Sequence, residues 1–446
     1  MLLLLVWVTY AFNAGAREVM NRLLPAIIEA FNLTPSMSGL LSSAGTVAAG
    51  LGALLITAWG ERKGLAWNRR KSQVIVAAVY LLFTFFIGLP AVTSITMLFI
   101  FQIVRFMFAA PDESYAASAA AEWWPEEHQG FVINTHHTAY PWGSALVVLG
   151  ASFILSSTGD WRIPFLVLPI IPIVFWVIYC LYANRNRFAR NNEKMKQMGL
   201  TPHLTVEEVD AHHQAYLSGA SKSDGGFMTT LRLLKNHNVL AGFLVYACLM
   251  IAYFGFGYWL TPFLTYQCGY DNSTAAAFSV VFTLTAGIGQ IFWGAFSDKF
   301  GAKRTVQISC AWLAVTFCLL PFVQTGVPAL VGVQLLMGFC MNAAFPVLYR
   351  IAGASVPRDK LSSAIACCTT AGVLGGLSPV ILGVLIDLGG GFDAITGYWL
   401  CIVFMVAFLV LALIIITTLC HEVSGPKRGK DWALSSFESC GIEKAE

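Results

Sequence analysis

Residues 294–304 read Gly-Ala-Phe-Ser-Asp-Lys-Phe-Gly-Ala-Lys-Arg, an acid, three bases and two glycines set between apolar stretches near 274–297 and 304–322. A charge at the centre of a bilayer costs at least roughly 2.5 kcal/mol, so this cluster reads as a turn at a membrane surface joining two spanning helices. The same punctuation stands earlier in the chain, where Gly60-Glu61-Arg62-Lys63-Gly64 and then Arg69-Arg70-Lys71 follow another apolar stretch. A second pair of loops, Pro125-Glu126-Glu127-His128 and Pro357-Arg358-Asp359-Lys360, keeps the same separation of roughly 235 residues. The chain thus reads as two copies of one unit.

Working outward, apolar stretches of spanning length recur near 1–29, 36–59, 73–92, 95–121, 129–156, 163–183, 239–266, 274–297, 304–322, 327–349, 361–387 and 394–420. Of the 446 residues, 57% are hydrophobic and only 11% charged. Soluble domains carry roughly 25% charged residues, so a water-facing surface cannot be assembled from this composition. The expectation is an all-α membrane protein of twelve transmembrane helices in two pseudo-symmetric six-helix bundles. The boundaries are 1–183 for the first bundle, 184–238 for a linker loop, 239–420 for the second bundle and 421–446 for a tail. The opening Met1–Tyr10 lacks a basic segment before it and a small-residue cleavage site after it, so it reads as part of the first span rather than as a signal.

Lys and Arg fall on one side. With both termini cytoplasmic, the inner loops collect residues 62–71, 185–196, 299–304, 358–360 and the tail, and the outer loops hold Arg162 alone. The net charge of +3 therefore reports topology, and no nucleic-acid partner is implied. The eleven cysteines lie mostly inside helices, as at Cys248, Cys310 and Cys340, without metal-ligand spacing. They read as small apolar residues, and no metal or cofactor is expected.

The run 294–304 resembles the loop signature of the major facilitator superfamily at nearly every position, and 60–71 resembles a degraded copy with Glu61 in place of the usual Asp. Shorter patches are similar to the anion:cation symporters, the branch that carries sugar acids and organic anions. These are Asn13-Ala-Gly-Ala-Arg17 with Pro25 beyond it, Arg105 seven residues before Asp112, Trp124-Pro125 with Glu126-Glu127, and Tyr258-Trp259 with Pro262. Ala16 stands where that branch carries an acid, Ala109 replaces a glycine, and Glu113 is an addition. The resemblance implies a secondary transporter, with Asp112 at the place of the branch's proton-coupling acid.

Charges within spans need a partner or a wet cavity. Asn13, Arg17 and Asn21 share one stripe of the first helix. The guanidinium of Arg17 is a permanent cation with a planar fork of donors matched to a carboxylate, which suits an anion site. Its alternative is a salt bridge with Glu18 or Asp112, and Arg22, opposite Glu18 at helical spacing, reads as a pairing residue. Arg105 and Asp112 share a face two turns apart. Burial favours the neutral carboxyl and a cation the ionised one, and that competition lets a carboxyl take up and release a proton. The alternative is a permanent Arg105–Asp112 bridge. Glu113, roughly 100° around the helix, is the substitute acid, and His136 or His137 could assist, with Tyr140 one turn beyond His136. Tyr253, Tyr258, Trp259, Gln290, Asn342 and Ser378 are the second-half residues suited to reading hydroxyls. Glu61, Arg62, Asp298, Lys299 and Arg304 are suited to latching helix ends in one conformation.

The reading is proton-coupled symport of a small organic anion, such as a sugar acid or another carboxylate, by alternating access. The protein would work as a monomer in a plasma (bacterial inner) membrane, with the anion, the proton and the lipid bilayer as its partners. The rivals are a neutral-sugar or drug carrier and an organophosphate/anion antiporter. A membrane-embedded hydrolase is disfavoured, because the chain carries neither a GxSxG nor an HExxH motif.

Overall fold

The computed structural model describes the chain except for residues 126, 127, 129–131, 133, 134, 219–232, 357–360 and 425–446, and gives backbone alone for 54, 58, 61–63, 361–363 and 366. It is all-helical. Among the described residues ten helical stretches are long and apolar enough to cross a membrane. Two expected spans are helical but fall outside those ten. The first is broken at Leu23 into α1 (Leu2–Arg22) and α2 (Leu24–Phe31), and it carries Arg17, Glu18 and Arg22. The ninth, α14 (Ala302–Phe317), has only 16 residues before a 3-10 turn at Leu320–Thr325.

Contacts divide the chain into two units, residues 1–31 with 44–223 and residues 32–43 with 224–446. The first unit holds α3 (Pro35–Lys63) from residue 44 onward, then α4 (Ala66–Ile87), α5 (Ile95–Glu122), α6 (Ser144–Thr158), α7 (Ile163–Val167) and α8 (Ile170–Tyr182). The linker then forms α9 (Arg185–Gln197) and α10 (Val206–Leu217), which pack on this unit. Phe188 of α9 is fully buried, 5.1 Å from Trp67 and 5.0 Å from Trp123 between ring centres. Asn191 Nδ2 donates to the Trp123 carbonyl at 2.7 Å. The polar stretch thus buries an aromatic anchor where sequence alone shows a charged loop.

The second unit holds α11 (His237–Pro262), α12 (Asn272–Phe278), α13 (Val281–Phe300), α14, α15 (Val327–Met341), α16 (Ala344–Gly353), α17 (Leu361–Thr370), α18 (Gly372–Gly375), α19 (Ser378–Leu388) and α20 (Ile395–Leu419). Prolines mark the interruptions, because a proline offers no N–H to the helix ladder. Pro141 lies in a π-helical turn, Ala139–Gly143, ahead of α6. Pro346 follows the α15–α16 break, and Pro379 opens α19.

The repeat is visible in packing as well as in loops. A Cβ on Gly52 of α3 would lie 1.8 Å from the Met107 carbonyl oxygen of α5, and one on Gly289 of α13 would lie 2.0 Å from that of Phe339 in α15. Each unit thus brings two helices into backbone contact at a glycine, at matching positions of the two copies. Gly294, by contrast, faces open space.

The topology carries a direct test. Tags at Lys71, Met198 and the C-terminus should react only from the cytoplasmic side of intact cells, and a tag at Asp271 only from outside. External labelling at Met198 would overturn the expected orientation.

Candidate functional site

The charged side chains of the first unit converge where α1, α5 and the π-helical turn meet. Small residues permit the approach: a Cβ on Gly15 would lie 2.3 Å from Val147, and one on Gly143 would lie 2.3 Å from Ala11. The π turn adds a residue to the helical circuit at Pro141, and such widenings are common at functional sites.

Arg17 Nη2 pairs with Glu113 Oε2 at 2.9 Å, with 13% of the arginine side chain and 34% of the glutamate exposed. The Arg17 guanidinium also lies 5.5 Å from the Tyr140 ring centre, while its Nε has no hydrogen-bond partner among the described residues. Tyr140 Oη donates to Glu18 Oε1 at 3.1 Å, and Glu18 Oε2 accepts from Arg22 Nη2 at 2.9 Å. The partner of Arg17 is thus Glu113, rather than the Glu18 or Asp112 that sequence spacing offered. Asn21 is half-buried on the same helix.

Asp112 is fully buried. Its Oδ2 accepts from Asn13 Nδ2 at 3.0 Å, and the same amide donates to the Ala109 carbonyl at 2.9 Å. Arg105 is 1% exposed, its Nη2 bonded to Gln102 Oε1 at 2.7 Å and its guanidinium stacked near the rings of Phe106 and Phe165, 5.0 and 5.8 Å away. Among the described residues neither Asp112 nor Arg105 has an ion-pair partner, so the permanent bridge between them is not formed. Seven residues of one helix separate them by roughly 10 Å along the axis, too far for a direct pair while both side chains are held by amides.

His136 is fully buried and stacks on Tyr10, with ring centres 4.8 Å apart and planes 11° from parallel. His137 lies edge-on to His136, with ring centres 5.6 Å apart. Tyr10 escaped the sequence reading, although its i, i+3, i+7 spacing with Asn13 and Arg17 places it on the same face.

Of the second-unit candidates, Tyr258 and Trp259 are fully buried and already engaged. Tyr258 Oη lies 2.8 Å from both Ser38 Oγ and the Pro35 carbonyl oxygen, and Trp259 Nε1 donates to the Tyr398 carbonyl at 3.3 Å while its ring stacks on Phe263. Tyr253 sits edge-on to Phe254 and Phe345, Gln290 is half-buried, and Asn342 ends α15. Ser378 is buried beside Gly255, its hydroxyl without a partner among the described residues.

The loop 294–304 is pinned within its own unit. Asp298 pairs with Arg350 at the end of α16, and Lys299 lies 5.4 Å from the ring of Phe300. Glu422 Oε1 accepts from the backbone N–H of Ala302 at 2.7 Å and of Lys303 at 3.2 Å, capping α14 with a carboxylate where a helix start favours one. Arg304 is exposed, its backbone N–H also on Glu422. The side chains of Glu61 and Arg62, like Glu126, Glu127, residues 357–360 and residues 425–446 of the tail, lie outside the described residues.

At the matching end of the first unit, Arg69 Nη2 meets Glu122 Oε1 at 2.6 Å, and Glu122 Oε2 accepts from the Ala66 N–H at 2.9 Å; both side chains are buried. Removing one partner of a buried pair leaves an uncompensated charge, so Glu122→Gln should destabilise this end by about 3 kcal/mol. Melting in detergent measures it. Arg185→Gln, which breaks the exposed pair with Asp210, should leave the melting temperature unchanged.

Comparison with known proteins completes the assignment. A family model described as Major Facilitator Superfamily matches residues 6–281 and 243–438. The "Uncharacterized transporter YybO" of Bacillus subtilis is 24% identical over 391 residues, covering 82% of this chain and 83% of that protein. The "Probable sulfoacetate transporter SauU" of Cupriavidus necator is 24% identical over 385 residues, covering 83% of each. In fold, the inward-open xylose transporter XylE of E. coli superposes with a TM-score of 0.71 at 15% identity, covering 98% of both chains. A bacterial homologue of the human lysosomal transporter Spinster gives a TM-score of 0.69 at 16% identity, covering 98% of this chain and 97% of that one. With the duplicated helical units, the loop signature and a family match over most of its length, this chain belongs to the major facilitator superfamily and is an integral membrane transporter.

Proposed function

We propose that the protein couples the uptake of a small organic anion to the uptake of a proton, by alternating access. The observation that carries this reading is the half-used fork of Arg17, held by Glu113 through one nitrogen while Nε has no hydrogen-bond partner among the described residues. A substrate carboxylate entering there would share or replace Glu113 and gain a bidentate, charge-assisted contact.

The charges around it support proton coupling. Arg17, Arg22 and Arg105 stand against Glu18, Asp112 and Glu113, so the cluster is balanced when all three acids are ionised. Glu18 and Glu113 are ion-paired with Arg22 and Arg17. Among the described residues Asp112 alone of the three acids has an amide donor and no ion-pair partner, and we assign the coupling proton to it. Protonating it leaves one positive charge unmatched, which a monoanion restores. The site therefore favours anion and proton together over either alone. A relative named for sulfoacetate lends support to the anionic class.

The test is uptake by proteoliposomes under an inward pH gradient, with sugar acids, simple monocarboxylates, sulfoacetate and xylose presented in turn. Accumulation of an acid, and not of xylose, is the expected result. Accumulation of the neutral sugar alone would replace this reading by that of a sugar carrier. With Glu113→Gln, the anion should still be transported, because the substitution removes a competitor for Arg17 and not the proton carrier. Loss of gradient-driven uptake in that variant would move the proton to Glu113.

A further inference from the structure

In the first unit α4 and α8 part to leave an apolar groove of about 630 Å³. One wall is the face of α4 carrying Val74, Ala78, Leu82 and Phe85, and the other is the face of α8 carrying Ile173 and Val177. From Val74 to Phe85 the helix rises roughly 16 Å, close to half of the roughly 30 Å of hydrocarbon in a bilayer. The groove thus has the length of one acyl chain in one leaflet.

Its end toward Val74 and Leu181 is where the cations begin. Lys71 is exposed and lies one turn before Val74 on the same face of α4. Arg70 Nη1 donates to the carbonyls of Cys180 and Ala183 at 2.6 and 3.1 Å, tying α4 to the end of α8 and holding the groove's mouth in place. Just beyond, the Arg187 guanidinium sits 4.5 Å from the Tyr182 ring centre, and neighbouring Asp210 is engaged by Arg185. Among the described residues Lys71 and Arg187 have no acidic partner.

We propose that this groove binds one anionic phospholipid, with an acyl chain between α4 and α8 and its phosphate against Lys71 and Arg187. An apolar groove alone accepts any lipid. The cationic mouth makes the site selective, since each Lys or Arg near the headgroup level favours an anionic lipid about fivefold, and two about thirtyfold.

Native mass spectrometry of the whole protein, titrated with phosphatidylglycerol or phosphatidylcholine of identical chains, tests it. One phosphatidylglycerol should be retained with about thirtyfold preference. The double variant Lys71→Gln, Arg187→Gln should lose the preference and still bind phosphatidylcholine. Ala78→Phe should weaken both lipids by filling the groove, and Val177→Phe should do the same from the opposite wall, with lipid-free melting temperatures confirming that the variants fold. Equal retention of the two lipids by the unaltered protein would mean ordinary boundary lipid only. A preference that survives the double variant would place the lipid elsewhere, and a dimer abolished by Ala78→Phe would make the groove an interface between two copies; either outcome overturns the proposal. The readout is binding, so it stands or falls independently of the transported substrate.

Discussion

Asp112→Asn should abolish accumulation driven by a pH gradient while leaving exchange of substrate across the membrane largely intact. The asparagine keeps the shape and can still accept from Asn13 Nδ2 through its carbonyl oxygen, so the contact between α1 and α5 survives. What it loses is the ability to carry a charge in one state and none in the other. The cluster is then permanently one positive charge in excess, as it is when Asp112 is protonated, and the anion binds without a proton being taken up. Counterflow and gradient-driven uptake measured on the same proteoliposomes separate the two behaviours. Normal accumulation in Asp112→Asn would remove Asp112 from the coupling and move the role to Glu113, which is paired with Arg17, or to a histidine.

Arg17→Gln should weaken binding of the anion by about tenfold to a hundredfold, because a charge-assisted bond in a partly shielded site contributes roughly 1.5 to 3 kcal/mol. The structure adds a second effect. Without Arg17, an ionised Glu113 would face the substrate with no cation at hydrogen-bond distance and would repel it. Arg17→Gln with Glu113→Gln should therefore bind the anion better than Arg17→Gln alone. Arg17→Lys retains the positive charge but not the planar fork, so it should lie between the native protein and Arg17→Gln. The control is the uncharged analogue of the substrate, whose weak binding should be indifferent to all three variants. Equal losses for acid and analogue in Arg17→Gln would make Arg17 a residue that shapes the site without reading charge.

Glu113 and Asp112 show how far helical spacing carries and where it stops. Adjacent residues on α5 must point about 100° apart, so sequence alone says that only one of them can share the face of Arg105. It cannot say which of them another helix will meet. The answer depends on the rotation of α1 against α5, while Gly15 and Gly143 let α1 close in on α6 and the π-helical turn. That rotation brings Arg17 to Glu113 and Asn13 to Asp112, and it leaves Arg105 with Gln102 as its hydrogen-bond partner. The pairing of Arg22 with Glu18, being local to one helix, was legible from spacing, and it forms at 2.9 Å.

Tyr258 and Trp259 make the same point in the second unit. Their types suit a sugar-like ligand, yet both are sealed inside the protein with their polar atoms engaged. Residue type states what a side chain can do, and only packing states whether it is available. The linker gives the converse case, since no periodicity in residues 184–217 announces that Phe188 will be buried between Trp67 and Trp123.

Membrane insertion, helical architecture and duplication are written along the chain itself, because each is enforced by the solvent. Hydrocarbon demands long apolar helices, charged loops must lie at its surfaces, and a repeated unit repeats its punctuation wherever it is read. The ion pairs between helices, the hydrogen bond of Asn13 to Asp112 and the groove between α4 and α8 depend on distances between helices far apart in sequence. Those distances follow from close packing of side chains across helix faces, where a single glycine decides whether two backbones meet, and they exist only once the helices have assembled.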